Sequence, residues 1–111
     1  MKKQTNVGVV GCGYWGPNLI RNFHQLKDCD LKIMCDASER RLAHMRSLYL
    51  GVEGATDFNV MLNGVGLDAV VIATPVRFHH AMAKAALLAG KHVLIEKPMA
   101  ASVAECQELV D

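Results

Sequence analysis

Apolar residues gather in short runs at Val7 to Val10, Leu31 to Cys35, Ala69 to Ala73 and Val93 to Ile95, each of the length expected for a buried strand. Between them, apolar positions return at helical spacing. Leu19, Ile20, Phe23 and Leu26 share one face of a first helix, with Pro17 in its opening turn, where a missing N–H costs little. Ser38 caps a second helix carrying Leu42, Met45 and Tyr49, after which Gly51 to Gly54 predicts a loop and Thr56 a very short strand. Asp57 caps a brief helix with Phe58, Met61 and Leu62, and Asn63-Gly64-Val65-Gly66 predicts a turn. Ala81, Ala85 and Leu88 form one face of the next helix, which stops at Gly90. Ser102 and Glu105 make an S-x-x-E capping box for a last helix running to Asp111.

This alternation predicts an α/β domain over residues 1–111, a doubly wound parallel sheet of five strands in the order 3-2-1-4-5. Such a sheet normally continues to a sixth strand. The expectation is therefore a fold truncated before that strand and lacking a carboxy-terminal substrate domain. The edge Val93 to Ile95 is then open to pairing with another chain, so a homo-oligomer is expected.

With 111 residues, 51% of them hydrophobic and 21% charged, the chain can bury a core without disulfides. Cys12, Cys29, Cys35 and Cys106 lack C-x-x-C or other ligand-like spacing, which predicts reduced thiols and no metal site. Twelve basic against eleven acidic residues leave a formal charge of +1, without the basic excess that nucleic-acid binding requires. No run approaches a membrane span, and Met1-Lys2-Lys3 leads straight toward a strand, so a cytoplasmic protein without a membrane partner is expected.

Chemistry concentrates first at Gly11, Gly13 and Gly16, which follow the first strand and open the first helix. In a dinucleotide site of this kind the first glycine permits the tight turn, the second admits a pyrophosphate to the backbone, and the third lets helix and sheet approach. Asp36, about twenty residues beyond Gly16, closes the second strand and is placed to accept from ribose hydroxyls. Its negative charge would repel a 2'-phosphate, which favours NAD over NADP. Arg40 and Arg41 can stack on adenine or meet such a phosphate, solvated helix charges being the plainer alternative. Tyr14 and Trp15 can line the nicotinamide side of the site or simply pack.

A second cluster runs Ala73-Thr74-Pro75, His79-His80, Ala89-Gly90-Lys91-His92-Val93 and Glu96-Lys97-Pro98. Together with the glycine loop, this ordered set resembles the Gfo/Idh/MocA oxidoreductases, and the resemblance covers the whole chain as an amino-terminal NAD(P)-binding Rossmann domain. Gly11 to Asn18 and Thr74-Pro75-Val76 look like members that oxidise nucleotide-linked sugars at C3. The resemblance implies hydride transfer between a sugar or sugar-nucleotide hydroxyl carbon and nicotinamide. It places Ala73, Thr74, Pro75, His79, Glu96 and Lys97 beside the cofactor, with Lys97 also catalytic. At the end of the fifth predicted strand, the Lys97 ammonium can hydrogen-bond the reacting hydroxyl and favour the alkoxide-like charge that grows as hydride leaves. Glu96 can orient Lys97, and Pro98 fixes the turn that follows. His79 has two readings, a contact near the cofactor or a helix-start histidine with local hydrogen bonds.

Family members usually complete the catalytic site with a histidine, often joined by an aspartate, from a carboxy-terminal domain. The 111-residue chain alone is therefore expected to be inactive. A stand-alone NAD(H)-binding or redox-sensing module is the alternative from another class. A methyltransferase also binds adenosine beside a glycine-rich turn, but Ala73-Thr74-Pro75 and Glu96-Lys97-Pro98 count against it.

Overall fold

The computed structural model describes residues 5–13, 16–64, 66–95, 100 and 102–110. Its elements alternate as β1 (Thr5–Val10), α1 (Gly16–Gln25), β2 (Cys29–Cys35), α2 (Glu39–Leu48), β3 (Glu53–Ala55), α3 (Phe58–Gly64) and β4 (Ala69–Ile72). A 3-10 turn (Val76–Phe78), α4 (His79–Leu88), β5 (His92–Ile95) and α5 (Val103–Val110) follow. All strand pairings are parallel, and the sheet order is β3-β2-β1-β4-β5, as the sequence pattern predicts.

Apolar side chains alternate between the two faces of the sheet and make a core on each. Val7, Val9, Leu31, Met34 and Val71 pack with Ile20 of α1 and with Leu42 and Met45 of α2. On the opposite face Val10, Ile33, Val70 and Ile72 pack with Met61 and Leu62 of α3, Ala83 and Ala86 of α4, and Leu109 of α5. The β1–β2 register slips between Val7 and Gly8, which pair with Leu31 and Ile33 and leave Lys32 as an extra residue. That bulge resets the alternation so that Leu31 and Ile33 serve opposite cores, while Lys32 reaches Asp30 at 2.8 Å.

Local chemistry fixes several helix ends. Ser38 Oγ accepts from the Arg41 N–H at 3.3 Å, Asp57 Oδ1 from the Asn59 N–H at 2.8 Å, and Ser102 Oγ from the Glu105 N–H at 3.2 Å. Outside the core, His80 Nε2 and Lys84 Nζ meet Glu108 Oε1 at 2.6 and 3.3 Å and tie α5 to α4.

Four local expectations are corrected. The third strand is Glu53–Ala55 rather than Thr56, which is exposed, so part of the predicted Gly51–Gly54 loop is strand. This short strand is held by pairing with Ile33 to Cys35, and a Cβ on Gly54 would lie 2.7 Å from Arg46 Cδ, so a glycine there lets α2 lie close. Asn63 and Gly64 belong to α3 rather than to a turn, and Val65 lies outside the described residues. Leu26 falls beyond α1 and is 51% exposed. The buried face of α4 is His79, Ala83 and Ala86, whereas Ala81 is exposed and Leu88 is 79% exposed.

Candidate functional site

The strand order reverses between β1 and β4, and a cleft of about 880 Å³ opens there at the carboxyl ends of the strands. Its rear is the glycine turn. Gly11 leaves β1 with φ of 102°, its N–H donating to the Cys35 carbonyl at 2.7 Å, and a Cβ there would stand 2.7 Å from the Ala73 carbonyl carbon. A Cβ on Gly16 would sit 1.7 Å from the Gly11 carbonyl oxygen, so α1 begins directly against the turn. Gly13 differs, because within 4 Å its Cβ position meets, among the described residues, only the Arg41 guanidinium, at 3.2 Å. One motif thus holds two glycines that the fold requires and one that faces the cleft.

Asp36 joins this turn to the second helix. Its Oδ2 accepts from the Cys12 N–H and its Oδ1 from the Ser38 N–H, both at 2.7 Å. Ser38 in turn caps α2, so the carboxylate is fixed by backbone groups from both sides of the cleft mouth. Each oxygen retains acceptor capacity. The sequence reading gave Asp36 to a ligand alone; the structure adds that it orders the glycine turn itself.

Two buried thiols lie at this turn, Cys35 lining the cleft and Cys12 behind it. Burial, reinforced by the neighbouring Asp36 carboxylate, pushes the Cys12 thiol up to about 12 and the Cys35 thiol up to about 11. Cys12 Sγ makes a weak contact, 3.9 Å, with the Cys35 carbonyl oxygen. These are packed thiols, as are the other free cysteines only in part, since Cys29 and Cys106 are half-buried.

The opposite wall is the segment after β4. His79 is 1% exposed, and its Nε2 donates to the Thr74 carbonyl at 2.6 Å, an assignment that follows because a carbonyl only accepts. The local-bond reading of His79 therefore holds, and the ring also lines the cleft. Thr74 Oγ1 donates to Met82 Sδ at 3.6 Å, while the Arg77 guanidinium lies 4.7 Å from the Phe78 ring centroid.

Of the residues nominated by sequence, Gly11, Gly13, Asp36, Arg41, Ala73, Thr74, Pro75 and His79 line this one cleft, and Gly16 supports it from behind. Tyr14, Trp15, Glu96 and Lys97 lie outside the described residues. Arg40 lines a separate, smaller cleft. Phe58, Arg77, Phe78 and Met82 were missed, as was the role of the Ser38 N–H. The signal for Arg77 and Phe78 was Pro75, whose fixed φ begins a turn that brings both to the cleft. Among the described residues no group of three or more His, Cys, Asp or Glu could hold a metal, and no helix is long and apolar enough to cross a membrane.

The residues fit a dinucleotide. Gly13 leaves room for a diphosphate at the turn, and Asp36 presents a fixed acceptor about where a ribose would follow. Comparison with known proteins agrees. The family described as "Oxidoreductase family, NAD-binding Rossmann fold", Gfo/Idh/MocA, matches residues 5–111. A Shewanella sp. (strain ANA-3) relative, "Glycosyl hydrolase family 109 protein 2", is 34% identical over 97% of this chain and 26% of its own length. The WlbA dehydrogenase from Bordetella pertussis, solved with NADH and UDP-GlcNAcA, superposes with a TM-score of 0.90 and 31% identity over 97% of this chain and 33% of that one. GenD2 from gentamicin A biosynthesis, in complex with NAD, gives a TM-score of 0.91 and 28% identity over 96% of this chain and 30% of that one. The chain thus spans about a quarter to a third of the proteins it matches.

Proposed function

This chain belongs to the Gfo/Idh/MocA oxidoreductases, and from that membership we propose that it is the NAD-holding part of an enzyme that oxidises a hydroxyl carbon of a sugar or sugar nucleotide. The observation that carries the reading is the juxtaposition of Gly13, open to the cleft, with an Asp36 carboxylate fixed by the Cys12 and Ser38 N–H groups. Gly13 admits the diphosphate, Asp36 accepts from the adenosine ribose, and Arg41 and Phe78 flank the adenine end. When bound, nicotinamide supplies the hydride acceptor. Thr74, Pro75 and His79 shape the wall on which the cofactor rests, and the hydrogen bond to Thr74 holds the His79 ring in that wall.

Lys97, two residues beyond β5, is the proposed catalytic residue, its ammonium holding the reacting hydroxyl and favouring alkoxide-like charge. Glu96 orients it, and Tyr14 and Trp15 line the nicotinamide side. A carbohydrate substrate is supported by the name of the Shewanella relative and by the sugar nucleotide bound to the Bordetella protein. Turnover is proposed for the whole protein, cytoplasmic and homo-oligomeric, and cofactor binding for this chain. Calorimetric titration with NAD should give saturable binding that Gly13→Val weakens about tenfold or more while the fold is retained. Normal affinity in folded Gly13→Val would overturn the placement of the diphosphate.

A further inference from the structure

We propose that a second cleft, behind the glycine turn, binds a phosphate monoester distinct from the dinucleotide. The cleft lies between the start of α1 and the exposed side of α2 and has a volume of about 420 Å³. Among the described residues its lining includes Arg40, Arg41 and His44 and no acidic side chain. Arg40 and His44 stand one helical turn apart on α2 and line the same space, where the guanidinium and the imidazole N–H can both donate. Neither guanidinium is within ion-pair distance of a carboxylate among the described residues. Asp36 bonds the Cys12 and Ser38 N–H groups and lines the front cleft instead.

The Arg40 and Arg41 guanidiniums, without a counter-charge among the described residues, repel one another, and an anion in the cleft relieves that cost. Guanidinium forks suit the oxygens of a phosphate better than a point charge would. The volume exceeds what inorganic phosphate fills, and the rest of the lining is apolar, with Met45 buried and Leu48 exposed beside it. An anion carrying an organic body fits that combination.

Arg41 also lines the front cleft, and its guanidinium reaches to 3.2 Å from the Cβ position of Gly13. A phosphate behind the turn and a diphosphate in front therefore draw on the same side chain. This coupling rests on the NAD reading, whereas the phosphate site does not. Each ligand should weaken the other by the same factor.

The test is titration of this chain with phenyl phosphate, followed by amide chemical shifts and calorimetry, in the wild type and in Arg40→Gln/His44→Gln. Saturable binding is expected, with shifts centred on Cys12, Arg40, His44 and Leu48. The double variant should lose about tenfold or more in phenyl phosphate affinity while its circular dichroism is unchanged. Failure to saturate, shifts confined to Gly11 to Gly13, or equal affinity in the double variant would overturn the site. NADP binding more tightly than NAD, with that advantage lost in the double variant, would assign the cleft to the cofactor's own 2'-phosphate and also overturn it. Absence of NAD binding alongside intact phenyl phosphate binding would sink the cofactor reading and leave the rear site standing.

Discussion

Gly16→Ala is the sharpest test of how the turn is built. The added methyl would lie 1.7 Å from the Gly11 carbonyl oxygen and 2.7 Å from its carbonyl carbon. Both obstacles are backbone, so no side chain can swing away. Gly11 is itself pinned by its N–H bond to the Cys35 carbonyl at 2.7 Å and by a φ of 102° that few other residues adopt. The start of α1 must therefore withdraw by more than about 1 Å, a backbone shift whose cost falls at the upper end of the overpacking range, about 3 kcal/mol. For a chain of 111 residues that energy lowers the melting temperature by about 13 °C. Gly51→Ala is the control, because none of the described residues lies within 4 Å of its Cβ position. It should change stability by no more than about 0.5 kcal/mol. Thermal melts followed by circular dichroism, with NAD titration of each folded variant, give both readouts. A Gly16→Ala chain that melts within about 2 °C of wild type and binds NAD normally would refute the close approach of α1 to the turn.

Three further outcomes are expected. Asp36→Ala removes the acceptor for the Cys12 and Ser38 N–H groups, so urea titration should show a loss of about 2 kcal/mol or more alongside weaker NAD binding, with Asp36→Asn between it and wild type. His79→Ala leaves a cavity and an unpaired Thr74 carbonyl, which should cost about 2 to 4 kcal/mol in the same assay. Cys12 and Cys35 titrate higher folded, at about 12 and 11, than their ordinary value of 9.0, so the unfolded chain releases these protons first. Their contribution to stability is complete below about pH 9 and is lost as the pH climbs through 11 and 12, which denaturation at stepped alkaline pH would detect, while iodoacetamide should label Cys29 and Cys106 before them.

Buried parallel strands announce themselves as apolar runs, and for that reason β1, β2, β4 and β5 were legible to within two residues. β3 was not, because Glu53 and Gly54 carry no strand preference and their pairing with Ile33 and Met34 is a tertiary fact. The α4 segment HHAMAKAALL offers alanines on every side, so spacing alone could not choose between faces. His79 decided the matter by turning inward to the Thr74 carbonyl, and Ala83 and Ala86 followed it.

At the site the glycine spacing was readable because Gly11 and Gly16 answer steric demands of the turn itself, while Gly13 is left to the proposed ligand. The double duty of Asp36 was not, since Cys12 is 24 positions away and its N–H carries no signature in the sequence. That double duty also decides which variants are informative. Loss of NAD binding in Asp36→Ala mixes a missing ribose acceptor with a relaxed turn, and the two cannot be separated by affinity alone. Among the described residues Gly13 has only the movable Arg41 guanidinium near its Cβ position, so a side chain there is expected to obstruct the proposed ligand and leave the turn intact. If Gly13→Val loses NAD with an unchanged melting temperature while Asp36→Ala loses both, the carboxylate builds the site as well as binding in it. Equal stability in the two variants would show that its bonds to Cys12 and Ser38 contribute nothing to holding the turn.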